Sequence, residues 1–306
     1  MDLRALRQVT TVIRLESVTK AASELNVAQS ALSRTIKMLE EELGIMLLVR
    51  HPRGVKATLE GAKFAEGAEA IIRLSEQLVD EARSHAAEPV GEIRLGYLPS
   101  TGDLFVGPLV AKFAAMHPKV SFKIKEGLTG ELTNALLSGQ LDVAIMMQNV
   151  RHQDLANLPL FSEDIWLASS KSIWPFKNRT SLQPNELAGL PLINAKFVGD
   201  ALRRLNMHSK VQTASVVEGD IRAVAHSALN SDFGFVMMPA AWIADDVEKG
   251  RWKGARIEGL SVERGIFWRS DRPQSRAVVE IVKEVQKEAL RQMKAFPGML
   301  RKIDDV

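Results

Sequence analysis

Cysteine is absent from this chain of 306 residues, and aromatic residues make up only 6% of it. Without cysteine there is no disulfide scaffold, no thiolate metal site and no cysteine nucleophile, and the composition fits a reducing compartment. No run of 18 uncharged apolar residues occurs, so we expect no membrane-spanning helix. The opening Met1-Asp2-Leu3-Arg4 mixes charged and apolar side chains, unlike a secretory signal. We therefore expect a cytoplasmic protein.

An excess of one charge is also lacking, since 40 basic residues face 37 acidic ones. The distribution is uneven, however. Residues 1–58 hold nine Lys or Arg and six Asp or Glu, whereas residues 59–88 hold three and seven. A hydrophobic content of 46% is typical of folded proteins, and the length predicts at least two domains. A basic head on an acidic segment indicates an end that binds nucleic acid.

The first 58 residues predict a winged helix-turn-helix domain. Apolar residues recur at helical spacing in two stripes: Leu3, Leu6, Val9, Ile13 and Leu32, Ile36, Leu39, Leu43. Between them we predict a short helix with Thr19 as its N-cap, followed by a tight turn at Asn26-Val27. Gly44 is the expected helix stop. Strands over 45–49 and 55–57, joined by a turn, then form the wing.

The second helix of this head presents polar side chains on its outward face. They are of the types that bond base edges and phosphates, and they lie near the helix N-terminus: Gln29, Ser30, Ser33, Arg34 and Lys37. Arg50, Arg53 and Lys56 of the wing are candidates for phosphate contacts. Solvated helix faces commonly carry the same residue types, and Glu40 to Glu42 argue against DNA unless that end points away. Periodicity alone leaves both interpretations open.

Residues 59–89 predict a long linker helix that ends before Pro89. Small and branched residues recur along it at steps of three and four: Ala62, Ala65, Ala68, Ile72, Ser75, Val79 and Ala82. Such a seam needs a partner, which is either a second copy of the helix or the core of the same chain. We expect a dimer through Ala62, Ala65, Ala68, Ile72 and Val79.

After residue 90, strands alternate with helices, which indicates parallel α/β layers. Strands are predicted over 92–97, 120–124, 143–146, 164–168, 191–194 and 233–237, and helices over 104–116, 132–138, 221–229 and 276–294. Open sheets of this kind bind small molecules at the carboxyl ends of their strands. The turn with Ser100 and Thr101 follows the first strand, and Leu128-Thr129 follows the next. Free backbone N–H groups there favour an anion, although plain helix capping accounts equally well for these hydroxyls.

The run 17–34 resembles the DNA-binding head of LysR-type transcriptional regulators. The likeness continues, in the family's order and without gaps, through Ile36, Leu39-Glu40, Leu43-Gly44, Leu47, Arg50 and Thr58-Leu59-Glu60-Gly61. Two positions depart from the family pattern: Ala31, where proline is common, and Leu48, where phenylalanine is usual. The order of elements after residue 90 also agrees with the family, so the resemblance covers essentially the whole chain.

This resemblance implies an α/β fold in three parts. They are a winged helix-turn-helix over 1–58, a dimerising linker helix over 59–89 and an effector-binding domain over 90–306. The last resembles type 2 periplasmic binding proteins, with lobe I over 90–162 and 265–306 and lobe II over 163–264. DNA contacts are expected from Thr19, Gln29, Ser30, Ser33, Arg34, Lys37, Arg50 and Arg53. Effector contacts are expected from Ser100, Thr101, Leu128, Thr129, Met147, Asn194 and Phe197.

The implied function is sequence-specific DNA binding, modulated by a small, anionic effector of unknown identity and without a cofactor. The expected partners are an interrupted inverted repeat in double-stranded DNA, further copies in a dimer or tetramer, and RNA polymerase. An enzyme acting on a small anion and a transport-type solute-binding protein are the alternatives. The six histidines have no metal-ligand spacing, and nucleophile-elbow, phosphate-loop and dinucleotide-binding motifs are absent. Asp142, Asp164 and Asp232 beside predicted strands fit strand-end capping, so we expect no enzyme.

Overall fold

This computed structural model describes residues 1–52, 54–83, 88–195, 202–203, 206–207, 209–217 and 222–303. Its head contains helices α1 (Leu3–Leu15), α2 (Val18–Glu24) and α3 (Gln29–Leu43), then a hairpin of β1 (Leu48–His51) and β2 (Gly54–Ala57). Both predicted stripes contribute to one core, whose buried members include Val9, Val12, Leu32, Ile36 and Leu39. The predicted winged helix-turn-helix is confirmed.

Local hydrogen bonds explain the turns of the head and correct two predictions. The N-cap of α2 is Ser17, not Thr19, because the Ser17 hydroxyl accepts from the backbone N–H of Lys20 at 3.3 Å. Thr19 lies one residue inside the helix. The first wing strand starts at Leu48 rather than at residue 45, since the Ile45 N–H still bonds the Glu40 carbonyl of α3 at 3.2 Å. Gly44 ends α3 in the left-handed conformation, as predicted.

The linker helix α4 (Leu59–Arg83) begins at a cap that joins it to the wing. The Thr58 hydroxyl accepts from the Gly61 N–H at 2.8 Å and donates to the Met46 carbonyl at 2.7 Å. A Cβ at Gly61 would lie 2.0 Å from the carbonyl oxygen of Leu47. The family-like run from Thr58 to Gly61 is therefore a capped helix start that fits against backbone.

The body is built of alternating strands and helices. Its described elements are β3 (Gly91–Tyr97), α5 (Gly107–Met116), β4 (Val120–Glu126), α6 (Thr129–Leu137), β5 (Val143–Met147), β6 (Leu155–Ser169), β7 (Ser181–Leu182), β8 (Pro191–Ala195), β9 (Gln212–Val217), α7 (Arg222–Leu229), β10 (Phe235–Pro239), α8 (Ala244–Glu248), β11 (Lys253–Arg269), α9 (Arg276–Ala295) and β12 (Leu300–Arg301). The main strand order is β4-β3-β5-β11-β6-β10-β8-β9. Across the described residues, no helix is both long and apolar enough to cross a membrane.

Two lobes share this sheet. In lobe I, β3 runs parallel to β4 and β5, and in lobe II, β8 runs parallel to β9 and β10. The predicted parallel layers are thus confirmed. The two long strands β6 and β11 pair antiparallel through both lobes, and β11 was not predicted as a strand at all. The helix predicted over 104–116 begins only at Gly107, after a wider π-type turn over Gly102–Val106.

Candidate DNA interface and effector site

The polar face of α3 is exposed while its apolar face is buried. Leu32, Ile36 and Leu39 are at most 5% exposed, because they pack against α1 and α2. On the other side, all the predicted reading residues of this helix are exposed: Gln29, Ser30, Ser33, Arg34 and Lys37. The first turn of α3 has no side-chain cap, so its backbone N–H groups are left without a side-chain partner at the helix end that carries Gln29 and Ser30. This is the arrangement that a major-groove reader requires.

The glutamates at the end of α3 are used inside the head. Glu40 Oε1 accepts from the N–H groups of Leu47 and Leu48, at 2.7 and 3.0 Å, and so attaches the wing to α3. Glu41 lies 3.7 Å from Lys37 in an exposed pair. Glu40 therefore does not argue against DNA binding at this helix, because its carboxylate accepts backbone N–H groups of the wing.

The other predicted DNA contacts lie around this face. Thr19 on α2 and Arg50 on β1 are exposed, and Lys56 pairs across the hairpin with Val49. Ala31 is exposed near the start of α3, and Leu48 is buried in the head core, so neither departure from the family pattern disturbs the polar face. Arg53 lies outside the described residues.

The seam predicted for dimerisation is largely covered by the same chain. Ala65, Ala68 and Ile72 are buried, and the last two pack against Leu6 of α1. For these three residues the core of the same chain is therefore the correct alternative. The dimer prediction missed this because the sequence pattern shows that a seam is covered but not which partner covers it. Ala62 and Val79 are exposed. A different row on α4 is exposed and apolar: Ile71, Leu74 and Leu78 are between 48% and 65% exposed, and Val79 of the seam, beside Leu78, is 42% exposed.

The predicted effector residues of lobe I lie at the carboxyl ends of β3, β4 and β5. Ser100 and Thr101 belong to a turn after β3. The Thr101 hydroxyl donates to the Leu98 carbonyl at 2.9 Å and is buried, so turn capping accounts for it. Thr129 is the first residue of α6, half-buried, and Leu128 before it is exposed. At the start of α6 the Leu128 N–H donates to Glu131 Oε2 at 2.9 Å, so a carboxylate of the helix itself lies at this N-terminus.

The lobes meet at Ser100. The indole N–H of Trp242 from lobe II donates to the Ser100 carbonyl at 3.0 Å, while Nη2 of Arg264 on β11 donates to its hydroxyl at 3.0 Å. Arg264 also contacts the sulfur of Met147 at the end of β5. Asn194 is the last residue but one of β8 in lobe II, and nothing is described of its side chain. Phe197 lies outside the described residues. The cleft thus brings together Ser100, Met147 and two residues that were not predicted.

A buried ion pair stands at this junction. Arg264 and Glu163 are 3% and 2% exposed, and Arg264 Nη2 lies 3.7 Å from Glu163 Oε2. Burial raises the pKa of Glu163 to about 7, although the charge of Arg264 opposes this. Burial also lowers the pKa of Arg264. The sequence did contain a signal, because Glu163 adjoins the predicted crossover point at Ser162 and Arg264 adjoins the one at Gly265.

The aspartates weighed as catalytic candidates are structural. Asp142 accepts from the Arg94 N–H at 2.8 Å, Asp164 pairs with Arg301, and Asp232 accepts from Ser170 at 2.8 Å. They lie in separate places and make no shared site. Within the described part of the chain, no group of three His, Cys, Asp or Glu side chains is placed to hold a metal ion.

Helix α6 extends from the turn after β4 to the linker helix. Its N-terminus carries Thr129, and beyond its C-terminus the Ser138 carbonyl accepts from Arg73 Nη2 of α4 at 3.5 Å. A Cβ at Gly139 would lie 3.4 Å from that nitrogen and 3.5 Å from Cβ of Ala70, so this turn packs on α4. Burial, followed by the charge of Arg94, lowers the pKa of Arg73.

A winged helix-turn-helix with an exposed polar helix, joined by a long helix to a two-lobed body with a buried ion pair where the lobes meet, defines a DNA-binding regulator that senses a small molecule. The family descriptions "Bacterial regulatory helix-turn-helix protein, lysR family" and "LysR substrate binding domain" match residues 3–62 and 86–290. The chain belongs to this family and is a transcriptional regulator of the LysR type.

Individual relatives agree with this assignment. The HTH-type transcriptional regulator TdcA of Escherichia coli K12 is 30% identical over 227 residues, which cover 72% of each chain. A full-length OxyR variant from Pseudomonas aeruginosa shares the fold, with a TM-score of 0.72, 20% identity and 94% coverage of both chains. Full-length CbnR complexed with its target DNA has a TM-score of 0.54 and 24% identity, covering 94% of this chain and 100% of that one.

Proposed function

We propose that this regulator binds an interrupted inverted repeat as a dimer, with α3 of each protomer in a major groove. A small anionic effector between the lobes then changes the spacing or bend that the two heads impose. The observation that carries the proposal is the division of α3 into a buried apolar face and an exposed polar one. CbnR, which has the same fold, has been solved with its target DNA.

Base reading is assigned to Gln29 and Arg34, with Ser30 and Ser33 beside them. Amide and guanidinium groups form paired hydrogen bonds to adenine and guanine edges, and hydroxyls reach phosphates or bases. Arg50 on the wing supplies a phosphate contact, as do Thr19 and Lys37 at the rim of the face. Phosphate contacts give affinity without sequence preference.

The dimer forms through the exposed row of α4 rather than through the predicted seam. Ile71, Leu74 and Leu78 recur at steps of three and four, which places them on one side of the helix. Exposed apolar side chains in such a row are covered when a second copy of the helix packs on them. Two copies place two reading heads on one duplex, and a tetramer built from such dimers is the extended form.

The effector is assigned to the lobe junction, where Ser100 and Met147 contact Arg264, and to Thr129 at the start of α6. We extend the proposal to contact with RNA polymerase and to action in the cytoplasm, without catalysis and without a cofactor. The absence of cysteine supports the reducing compartment. The separate structural roles of Asp142, Asp164 and Asp232 support the lack of catalysis.

Selection of bound fragments from a random duplex library, by purified full-length protein at two salt concentrations, tests DNA reading. We expect enrichment of an interrupted inverted repeat. Binding that is weak, sensitive to salt and without any enriched sequence would refute the assignment.

Substitution of Arg34 by Ala tests the reading face directly. We expect specific affinity to fall by about 1–3 kcal/mol, with preference relaxed at one position of each half-site, since a paired contact to a base is lost. Arg50→Ala should instead weaken binding to all sequences and lower the salt slope by about 1. Arg4→Ala on α1, which removes an exposed arginine from outside the reading face, is the matched control. Unchanged sequence preference in Arg34→Ala would show that α3 is not the reader.

A further inference from the structure

Arg264 is a buried cation with an unused donor. A guanidinium carries five N–H donors and keeps its charge in proteins. Nη2 bonds the hydroxyl of Ser100 and Nη1 contacts the sulfur of Met147, but Nε has no hydrogen-bond partner in the part of the chain described. Burial of an incompletely bonded charge is expensive, so such a group indicates a partner that binds there.

Glu163 neutralises this charge only loosely. The 3.7 Å between Arg264 Nη2 and Glu163 Oε2 exceeds the length of a charge-assisted hydrogen bond, which is about 2.7–2.9 Å. Glu163 Oε1 accepts instead from the N–H of Ala241 in lobe II, at 3.3 Å. The carboxylate is thus held by the backbone of lobe II, beside the guanidinium and not in its fork.

Arg264 lies where the two lobes meet. It lies on β11 at a shift of register between this strand and β6, where the chain passes from one lobe to the other. Its partners Ser100 and Met147 follow β3 and end β5, at the carboxyl edge of the sheet in lobe I. Trp242 of lobe II closes over the same Ser100.

We propose that Arg264 selects the effector: a small molecule with a carboxylate, which accepts hydrogen bonds from Nε and Nη2 side by side and replaces Glu163 as the counter-ion. This rests on the effector cleft of the proposed function, and it assigns the chemical class and the residue that determines it. Ser100 remains bonded to the second proton of Nη2. Glu163 is a positioning residue that balances the charge of Arg264 until the anion enters.

The test is calorimetric binding to full-length protein at fixed ionic strength. The probes are acetate, pyruvate, benzoate and succinate, each compared with its primary amide, which has nearly the same shape without the charge. We expect at least one acid to bind at least tenfold more tightly than its amide. Arg264→Lys, which keeps the charge but loses the fork, and Arg264→Gln should each weaken that acid at least tenfold. Glu163→Gln should bind it as well as or better than the unaltered protein.

Controls separate this inference from the proposed function. Arg256→Lys removes another guanidinium from the same strand, one whose Nη2 donates to Glu258 at 2.8 Å. Binding of the acid should not change in this variant. Binding to the selected inverted repeat shows that each variant is folded. If Thr129→Val abolishes binding of a probe that Arg264→Lys retains, the effector cleft stands and the role of Arg264 is refuted. Equal binding of acid and amide, or no binding of any acid, also refutes the inference and leaves DNA reading untouched.

Discussion

At Gly61 one absent methyl group determines how the linker helix meets the wing. The position lies in the first turn of α4, where the Thr58 hydroxyl accepts the Gly61 N–H. The carbonyl of Leu47 approaches so closely that any Cβ would overlap it. The atoms that a Cβ would meet belong to the backbone of Leu47, so no flexible side chain can move aside. Glycine is required here because it lets the two backbones approach closely, not because of its conformational freedom.

We expect Gly61→Ala to destabilise the head by about 1–3 kcal/mol, the usual effect of an added methyl group in a packed site. Gly67→Ala in the same helix has no atom within 4 Å of its new Cβ and should stabilise the head by up to about 1 kcal/mol. All five tryptophans lie after residue 165, so fluorescence reports on the body. Hydrogen exchange over residues 3–43 is the suitable measurement, and equal effects of both variants would contradict the close approach.

From the sequence, polar residues near strand ends could be chosen as candidates for the site. The residues that they contact in the fold could not be predicted. Ser100 and Met147 do meet at the cleft, as the strand order requires. Thr101 has the same chemistry as Ser100, yet its hydroxyl bonds inside its own turn. Arg264 could not be assigned, because contact between β11 and the turn after β3 joins residues 164 positions apart, and no local pattern encodes that distance.

At the scale of elements, the helices of the head follow from their periodicity because each has one buried face. For α4 the pattern was ambiguous, since the helix has two apolar rows. In the small row, Ala68 and Ile72 pack against α1, whereas the larger row with Leu74 is exposed. A strand such as β11 is hardest to predict, because it crosses two lobes and carries charges that interrupt its alternation.

Leu74→Glu is expected to convert the dimer to monomers, because a carboxylate in the centre of the α4 row would be buried without a partner. Sedimentation velocity measures the change, and affinity for the full inverted repeat should fall at least tenfold while a half-site is bound as before. Leu290→Glu on α9 replaces a leucine of similar exposure, 57% against 51%, outside this row, and should remain dimeric. A dimeric Leu74→Glu variant would place the interface elsewhere.

At the scale of the whole molecule, we propose that α6 connects the two functions. Its nine residues span roughly 13 Å, from Thr129, a proposed effector contact, to the turn that packs on α4. Helices move as rigid units within packed cores, so a shift at one end reaches the other. Arg73 joins α6 to the linker helix through its hydrogen bond to the Ser138 carbonyl, and the linker helix in turn leads to the head.

Arg73→Ala should therefore reduce the response without removing either binding event. We expect DNA affinity and effector affinity, measured separately, to change less than threefold. The ratio of DNA affinities with and without a bound carboxylate probe should fall several-fold towards one, since couplings of this kind amount to about 1–3 kcal/mol. Lys63→Ala, an exposed position on the same helix, is the control. An unchanged ratio in Arg73→Ala would exclude α6 as the connection.

The long ladder of β6 and β11 also limits how this regulator can change over generations. The two strands pair from Leu155 and Arg269 in one lobe to Ser169 and Lys253 in the other. The register between them shifts at two places, between Arg256 and Ser261 and between Arg264 and Gly265. Outside these shifts, a single inserted or deleted residue would turn the side chains that follow it to the opposite face. New effector preferences are therefore accessible to this chain by substitution along the ladder, whereas changes of length are confined to the two register shifts and to the loops at the ends of the strands.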